Sequence, residues 1–296
     1  VMKDVLSVGP AAVDRAFLTW LKPRMAIYEK QFVPSAEPAD SLDKARDALA
    51  TSPRDPERML TLALTLARAR KITEARATLQ IALASAKKHA GLNYAALQLA
   101  MGDKDEAKAK KYLAALLDAG HDGYAVRLRA ADLAEVAGDK TSMRAHLVRA
   151  STFDPSQAEP LQALYDLARD RKDSAQQLST LRALAKLDQH DRRVWRRLLR
   201  LLVARGYWAE AVKVGESAMY ADVGHAETHY LYARALARSG RHVSAIYELN
   251  SAIFAGASPK LAKRVYHTMA EGYRKLGQAE HAKLAGRYGE SIVVDK

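Results

Sequence analysis

The stretch from Arg192 to Gly256 nearly copies itself, and that self-similarity limits the folds open to the chain more than any other feature. Gly206 returns as Gly240, Ala211 as Ala245 and Ala218 as Ala252, each after 34 residues. Small residues that come back in phase at this period mark a helix–turn–helix unit, because each unit needs a turn and a close helix contact at fixed places. A unit of that size cannot bury its apolar face alone, so stability accumulates by stacking neighbours. Composition agrees with an all-α chain: 49% of the 296 residues are hydrophobic, and the apolar set is rich in Ala and Leu, both strong helix formers.

Within that stretch Trp195, Leu198 and Leu202, then Gly206, Ala211 and Ala218, resemble the tetratricopeptide repeat (TPR) family. The next unit reads His229, Tyr232, Ala233 and Leu236, then Gly240, Ala245 and Ala252. Leu199 and Val223 stand where the family most often has Gly and Pro. The resemblance implies a right-handed, TPR-like α-solenoid whose first helices line a concave groove where peptides bind. Second-helix anchors at Ala48, Ala82, Ala114, Ala150, Leu184, Ala218, Ala252 and Gly289 are separated by 34, 32, 36, 34, 34, 34 and 37 residues. That spacing gives about seven helix–turn–helix repeats plus a leading half repeat. Turns are expected at Gly102, Gly138, Gly206, Gly240 and Gly277, with Ala107 as the small packing residue after the first of them. The unit from Ala158 to Asp188 is the most degenerate, with Lys172 in the Gly place and Gln177 in the Ala place.

The N-terminal segment lies outside this pattern. Pro10 to Leu21 reads as a helix with Val13, Phe17, Leu18 and Leu21 on one face, stopped or bent by Lys22-Pro23. Three regions result: a helical segment over residues 1–33, a linker over 34–40 marked by Pro34, Ser35 and Pro38, and the array over 41–296. The run Val8 to Leu21 resembles the closing helix of bacterial gluzincin-type metallopeptidase domains, which precede a TPR array; their His-Glu-x-x-His zinc helix is missing from this chain. That resemblance implies the C-terminal accessory TPR region of a larger metallopeptidase-like protein, in keeping with a chain that opens on Val. No apolar run approaches the roughly 20 residues that span a bilayer, and no secretory signal follows Val1-Met2-Lys3-Asp4. A soluble protein of the bacterial cytoplasm or periplasm is the expectation, with oligomeric state open.

A formal charge of +13 and a pI near 9.7 favour anionic partners. The chain has no Cys, which excludes disulfides, thiolate nucleophiles and Cys-based metal sites. It has neither a Gly-rich phosphate loop nor Gly-x-Ser-x-Gly. His225 and His229 are four apart at a helix start, a spacing that can chelate a metal. However, His229 takes the large packing place held by Trp195 and Tyr266 in neighbouring units, so it reads as core. No metal, cofactor or catalytic residue is expected.

A stronger feature is the run Arg192, Arg193, Arg196, Arg197 and Arg200. Arg193, Arg196, Arg200 and Ala204 share one helix face, and like charges so placed cost roughly 0.2–0.5 kcal/mol per pair. Either nearby acids offset this (Glu159, Asp166, Asp170 or Glu227), or an anionic ligand does. The stripe continues as Tyr230, Arg234 and Arg238, then Arg264, His267, Arg274 and Lys275; toward the N-terminus it reads Leu60, Leu64, Leu92, Ala96 and Leu128. A groove turning from apolar to basic suits a peptide with a hydrophobic part and an acidic end. The Asn residues of the TPR carboxylate clamp are absent from the groove places.

The expectation is therefore a non-enzymatic scaffold that binds a peptide or protein segment through Arg193, Arg196, Arg200, Tyr230, Arg234, Arg238, Arg264 and His267. A nucleic-acid-binding α-solenoid is the alternative that the pI supports. Interleaved acids and few aromatics spaced for base stacking count against it.

Overall fold

The structure, a computed structural model, describes residues 9–26 and 36–294. Among the described residues there are sixteen α-helices and no strand. None of these helices is long and apolar enough to cross a membrane. The chain divides into two compact units, residues 1–160 and 161–296. The first holds α1 (Pro10–Ala26), α2 (Leu42–Thr51), α3 (Pro56–Arg68), α4 (Ile72–Ser85), α5 (Ala90–Gly102), α6 (Glu106–Asp118), α7 (Tyr124–Val136) and α8 (Lys140–Phe153). The second begins within α9 (Glu159–Asp170). It continues through α10 (Ser174–Leu187), α11 (Arg192–Arg205), α12 (Trp208–Asp222), α13 (Ala226–Arg238), α14 (His242–Phe254), α15 (Pro259–Lys275) and α16 (Ala279–Ser291).

One turn recurs between the helices of a pair. Arg70, Lys104, Gly138, Lys172, Gly206, Gly240 and Gly277 all have φ between 57° and 77°. The residue after each donates its N–H five residues back, from Lys71 to Leu66, Asp105 to Ala100, and so on to Gln278 and Tyr273, at 2.8–3.0 Å. A left-handed residue followed by this 6→1 bond closes a helix C-terminus by satisfying its free carbonyls. The turn positions are 34 apart five times in succession and then 37. The helices from α3/α4 to α15/α16 thus form seven helix–turn–helix repeats, with α2 as the leading half.

Those turns correct the reading around Gly102. Gly102 ends α5 with an ordinary φ, and the left-handed place falls two residues later on Lys104. The buried small residue is therefore Ala109, not the exposed Ala107, and the second-helix anchor is Leu116, not the exposed Ala114. With Leu116 in place the steps of 32 and 36 both become 34. Gly is not required at this turn, since Arg70, Lys104 and Lys172 hold it as well. Lys104 and Lys172 adopt the left-handed conformation at a cost that Gly avoids. Asp105 and Asp173 then cap the following helices by accepting from the N–H of Lys108 and Gln176.

A second correction concerns Pro23. The helix expected to stop at Leu21 runs on to Ala26 with Pro23 inside it. Proline lacks an N–H and forfeits one bond of the ladder, while Arg24 Nη1 donates to the Trp20 carbonyl at 3.0 Å nearby. Residues 27–35, which include part of the expected linker, lie outside the described residues, as does Val8.

Packing within the second unit follows the repeat. Leu198, Leu202 and Ala211 are buried in one cluster with half-buried Trp195, whose indole N–H donates to the Gln189 carbonyl at 2.8 Å, and Ala218 is buried as well. Gly215 is held by a close approach: a Cβ there would lie 2.6 Å from Cγ of the buried Tyr232. First helices α11, α13 and α15 pack in series, each against its own second helix.

Candidate partner-binding site

The 34-residue register places Arg196, Tyr230 and Arg264 in one row across α11, α13 and α15, and Arg200 and Arg234 in the next. The structure gives these residues two different fates. Arg196 Nη2 donates to Asp222 Oδ1 at 2.6 Å, and its Nε also reaches that carboxylate. Arg200 donates twice to Glu227, from Nε at 3.1 Å and Nη2 at 2.6 Å. Two of the eight expected site residues are therefore already ion-paired within the chain, and a third, Tyr230, is buried in the core. Glu227 was among the acids weighed for this role; Asp222 was not.

Neither Arg234 nor Arg264 forms an ion pair among the described residues, although the charge of Arg264 reaches the Glu227 carboxylate and helps to lower its pKa. Both guanidinium groups lie over the ring of buried Tyr230, at 5.9 and 4.8 Å from its centroid. Arg238 lies over the Trp208 ring at 5.7 Å. Arg193 and His267 are exposed, and neither forms an ion pair among the described residues. For Arg234 the register explains the difference. Places 26 and 27 residues after Arg196 and Arg200 hold Asp222 and Glu227, whereas the same places one repeat later hold Gly256 and Leu261. A shallow cavity of ≈ 410 Å³ opens beside Arg264, with Lys260, His225 and Glu227 in its lining.

The apolar stripe expected to extend this groove is not an open surface. Leu60, Leu92, Ala96 and Leu128 are buried and Leu64 is half-buried. Leu92 and Ala96 entered that stripe through the same two-residue slip; Tyr94 and Gln98 hold the true register with Arg196 and Arg200.

Asp222 is the centre of a buried polar cluster. It accepts from Arg196 and from Thr228 Oγ1 at 2.9 Å, with His225 Nδ1 3.7 Å away. Burial raises its carboxyl pKa, but the bonds from Arg196 and Thr228 and the Arg196 charge outweigh this, leaving it below the ordinary 3.8. Burial and the Arg196 charge lower the His225 pKa. His229, the other half of the candidate chelate, is buried with Nδ1 2.7 Å from Glu248 Oε2 and Nε2 2.6 Å from the Val223 carbonyl. Both ring nitrogens face acceptors, so the imidazolium form satisfies the site, and the Glu248 bond raises its pKa above 6.5. No group of three or more His, Cys, Asp or Glu able to hold a metal occurs among the described residues.

No protein-family profile matches the chain, and no curated protein matches it. Among solved structures, MamA is similar at 15% identity over 58% of this chain and 97% of that one, with a TM-score of 0.46. MamA of Desulfovibrio magneticus RS-1 is similar at 13% identity over 57% of this chain and 94% of that one, TM-score 0.44. YrrB, described as a TPR protein with an unusual peptide-binding site, is similar at 16% identity over 76% and 98%, TM-score 0.37.

The fold is TPR-like. Sequence reasoning missed Asp222 within such a repeat although a signal existed: Asp154, Asp188 and Asp222 recur every 34 residues at the close of successive repeats.

Proposed function

We propose that this chain is a non-enzymatic scaffold that holds an acidic segment of a partner protein on the first-helix side of its C-terminal unit. The observation that carries the reading is the pair Arg234 and Arg264, which lie over Tyr230 and form no ion pair among the described residues. Arg193 and Arg238 add charge in the neighbouring rows, and His267 lies on the same helix as Arg264. Arg196 and Arg200 take the supporting role of holding α11 to the α12 terminus and the α13 start. A guanidinium presents donors in a planar fork that matches a carboxylate, so the free ones suit Asp and Glu side chains.

The test titrates a labelled Glu-rich peptide into the full chain at about 50 and 150 mM salt, where the Debye length falls to roughly 8 Å. Binding should be present at the lower salt, weaken at the higher, and vanish in the Arg234→Glu/Arg264→Glu variant while thermal stability changes by about 1 kcal/mol or less, the scale of exposed cation–π contacts. Equal binding by that variant overturns the proposal. So does tighter binding of a single-stranded RNA of equal charge, which would move the reading to nucleic acid.

A further inference from the structure

The second helices carry a feature that the basic rows do not use. Between α10 and α12, over the start of α11, lies a cleft of ≈ 620 Å³ lined by Ala185, Trp195, Leu198, Val214 and Tyr220, with Arg182, Lys186, Gln189, His190, Glu210 and Ser217 around them. In the other compact unit a cleft of the same volume lies between α4 and α6. Eight lining residues correspond at a constant offset of 102, three repeats, from Gln80 and Arg182 through Asn93 and Trp195 to Ala115 and Ser217. The cleft is therefore a product of the repeat, a gap left where successive second helices stand apart.

Its lining is not a product of the repeat. In the N-terminal unit the gap is edged by Lys87, Lys108, Lys111 and Asn93. In the C-terminal unit Trp195 replaces Asn93, Val214 replaces Tyr112, and Tyr220 stands at the edge with 94% of its surface in water. Nothing in the packing demands an aromatic at that edge. Yet Phe254, one repeat on, is 89% exposed. Aromatic side chains left in water at one place in two consecutive repeats mark a contact surface.

Charge decides the occupant. The one carboxylate in the cleft, Glu210, is held bidentately by Arg182 at 2.7 Å on both oxygens. Lys186 is exposed and forms no ion pair among the described residues. The cleft thus has an apolar floor, a neutralised acid and an uncompensated cation. We propose that it is an anchor pocket for a partner segment in which an aromatic or aliphatic side chain is flanked by an acidic residue. The anchor enters between Trp195 and Tyr220, and the acid meets Lys186. Phe254 extends the same edge for further apolar residues of that segment. This surface is independent of the Arg234–Arg264 rows.

The probe is a short capped peptide with one Phe between two Glu, compared with versions carrying Ala for Phe or Lys for Glu, titrated into the full chain by isothermal calorimetry. The Phe–Glu peptide should bind at least fivefold more tightly than either control. Tyr220→Ser and Lys186→Glu, both at exposed positions that leave the core intact, should each weaken it at least fivefold, while Arg234→Glu/Arg264→Glu leaves it unchanged. Equal affinity for the three peptides, or unchanged affinity in Tyr220→Ser, overturns the proposal. So does a concentration-dependent dimer in sedimentation that Tyr220→Ser dissolves, which would make a second copy the occupant. Loss of binding in the Arg234/Arg264 variant also overturns it, by returning the peptide to the basic rows.

Discussion

Helices α11 and α13 are neighbours of similar design, and their arginines occupy the same register, yet they behave as two kinds of residue. On α11 each of Arg196 and Arg200 is gripped by a carboxylate from the next turn or helix. On α13 Arg234 lies over a tyrosine ring, and the place that would supply its acid holds Leu261. The comparison teaches that a basic stripe is not a unit of function. Whether a given arginine is structural or available is decided some 26 residues downstream, by a residue that a scan of the helix itself does not touch.

The largest effect should come from taking away the buried acid. Asp222→Ala leaves Arg196, Thr228 and His225 without their common acceptor and should cost on the order of 3–5 kcal/mol in urea unfolding, against about 0.5 kcal/mol for Arg234→Ala, which breaks no ion pair. Similar losses for both would erase the distinction between the two helices. The pH dependence should differ in sign as well. The depressed Asp222 carboxyl stabilises the fold above 3.8 and loses that contribution as pH falls through its lower folded value. The raised His229 stabilises fully below 6.5 and loses its contribution as pH rises through its higher folded value. Glu248→Gln should therefore cost roughly 1.5–3 kcal/mol near pH 6 and flatten the decline on the alkaline side. An unaltered slope would mean His229 is not the group that titrates.

Two smaller effects sharpen the picture. Lys172→Gly relieves a left-handed Lys in the turn between the two helices of the most degenerate repeat, and thermal melting should show a gain of about 0.5–1 kcal/mol; a loss would mean that the Lys172 side chain has a packing role. Leu261→Glu restores an acid 27 residues after Arg234. A double-mutant cycle with Arg234→Ala should then report a coupling of about 0.2–1 kcal/mol, with weaker Glu-peptide binding. Zero coupling would show that register alone does not make the pair.

The repeat itself was legible because Gly206, Gly240, Ala211 and Ala218 obey steric rules that only small residues meet. What failed was phase where the chemistry departed from those rules. Lys104 and Lys172 occupy a conformation that sequence assigns to glycine, so Gly102 was chosen two residues early and Ala114 displaced Leu116. The candidate site was legible as a charge pattern and not as an availability pattern. Helix spacing aligns Arg196 with Arg200 and the repeat aligns Arg200 with Arg234, but only the meeting of α11 with the α12 terminus and the α13 start shows that the first two are already bound. The cleft at Trp195 and Tyr220 was invisible, since it arises from the spacing between second helices, a quantity that no single helix encodes.

Gly215 and Tyr232 carry a consequence for how this sequence can change. The tyrosine ring fills the volume that any side chain at 215 would need. The two positions therefore cannot drift in arbitrary order: the ring must shrink before the glycine can acquire a side chain. Starting from a larger residue at 215, the glycine must come first. Substitution at this contact is a ratchet with one open direction at a time. Relatives that kept a bulky residue at the first place should carry a small one at the second, and intermediates bulky at both should be missing.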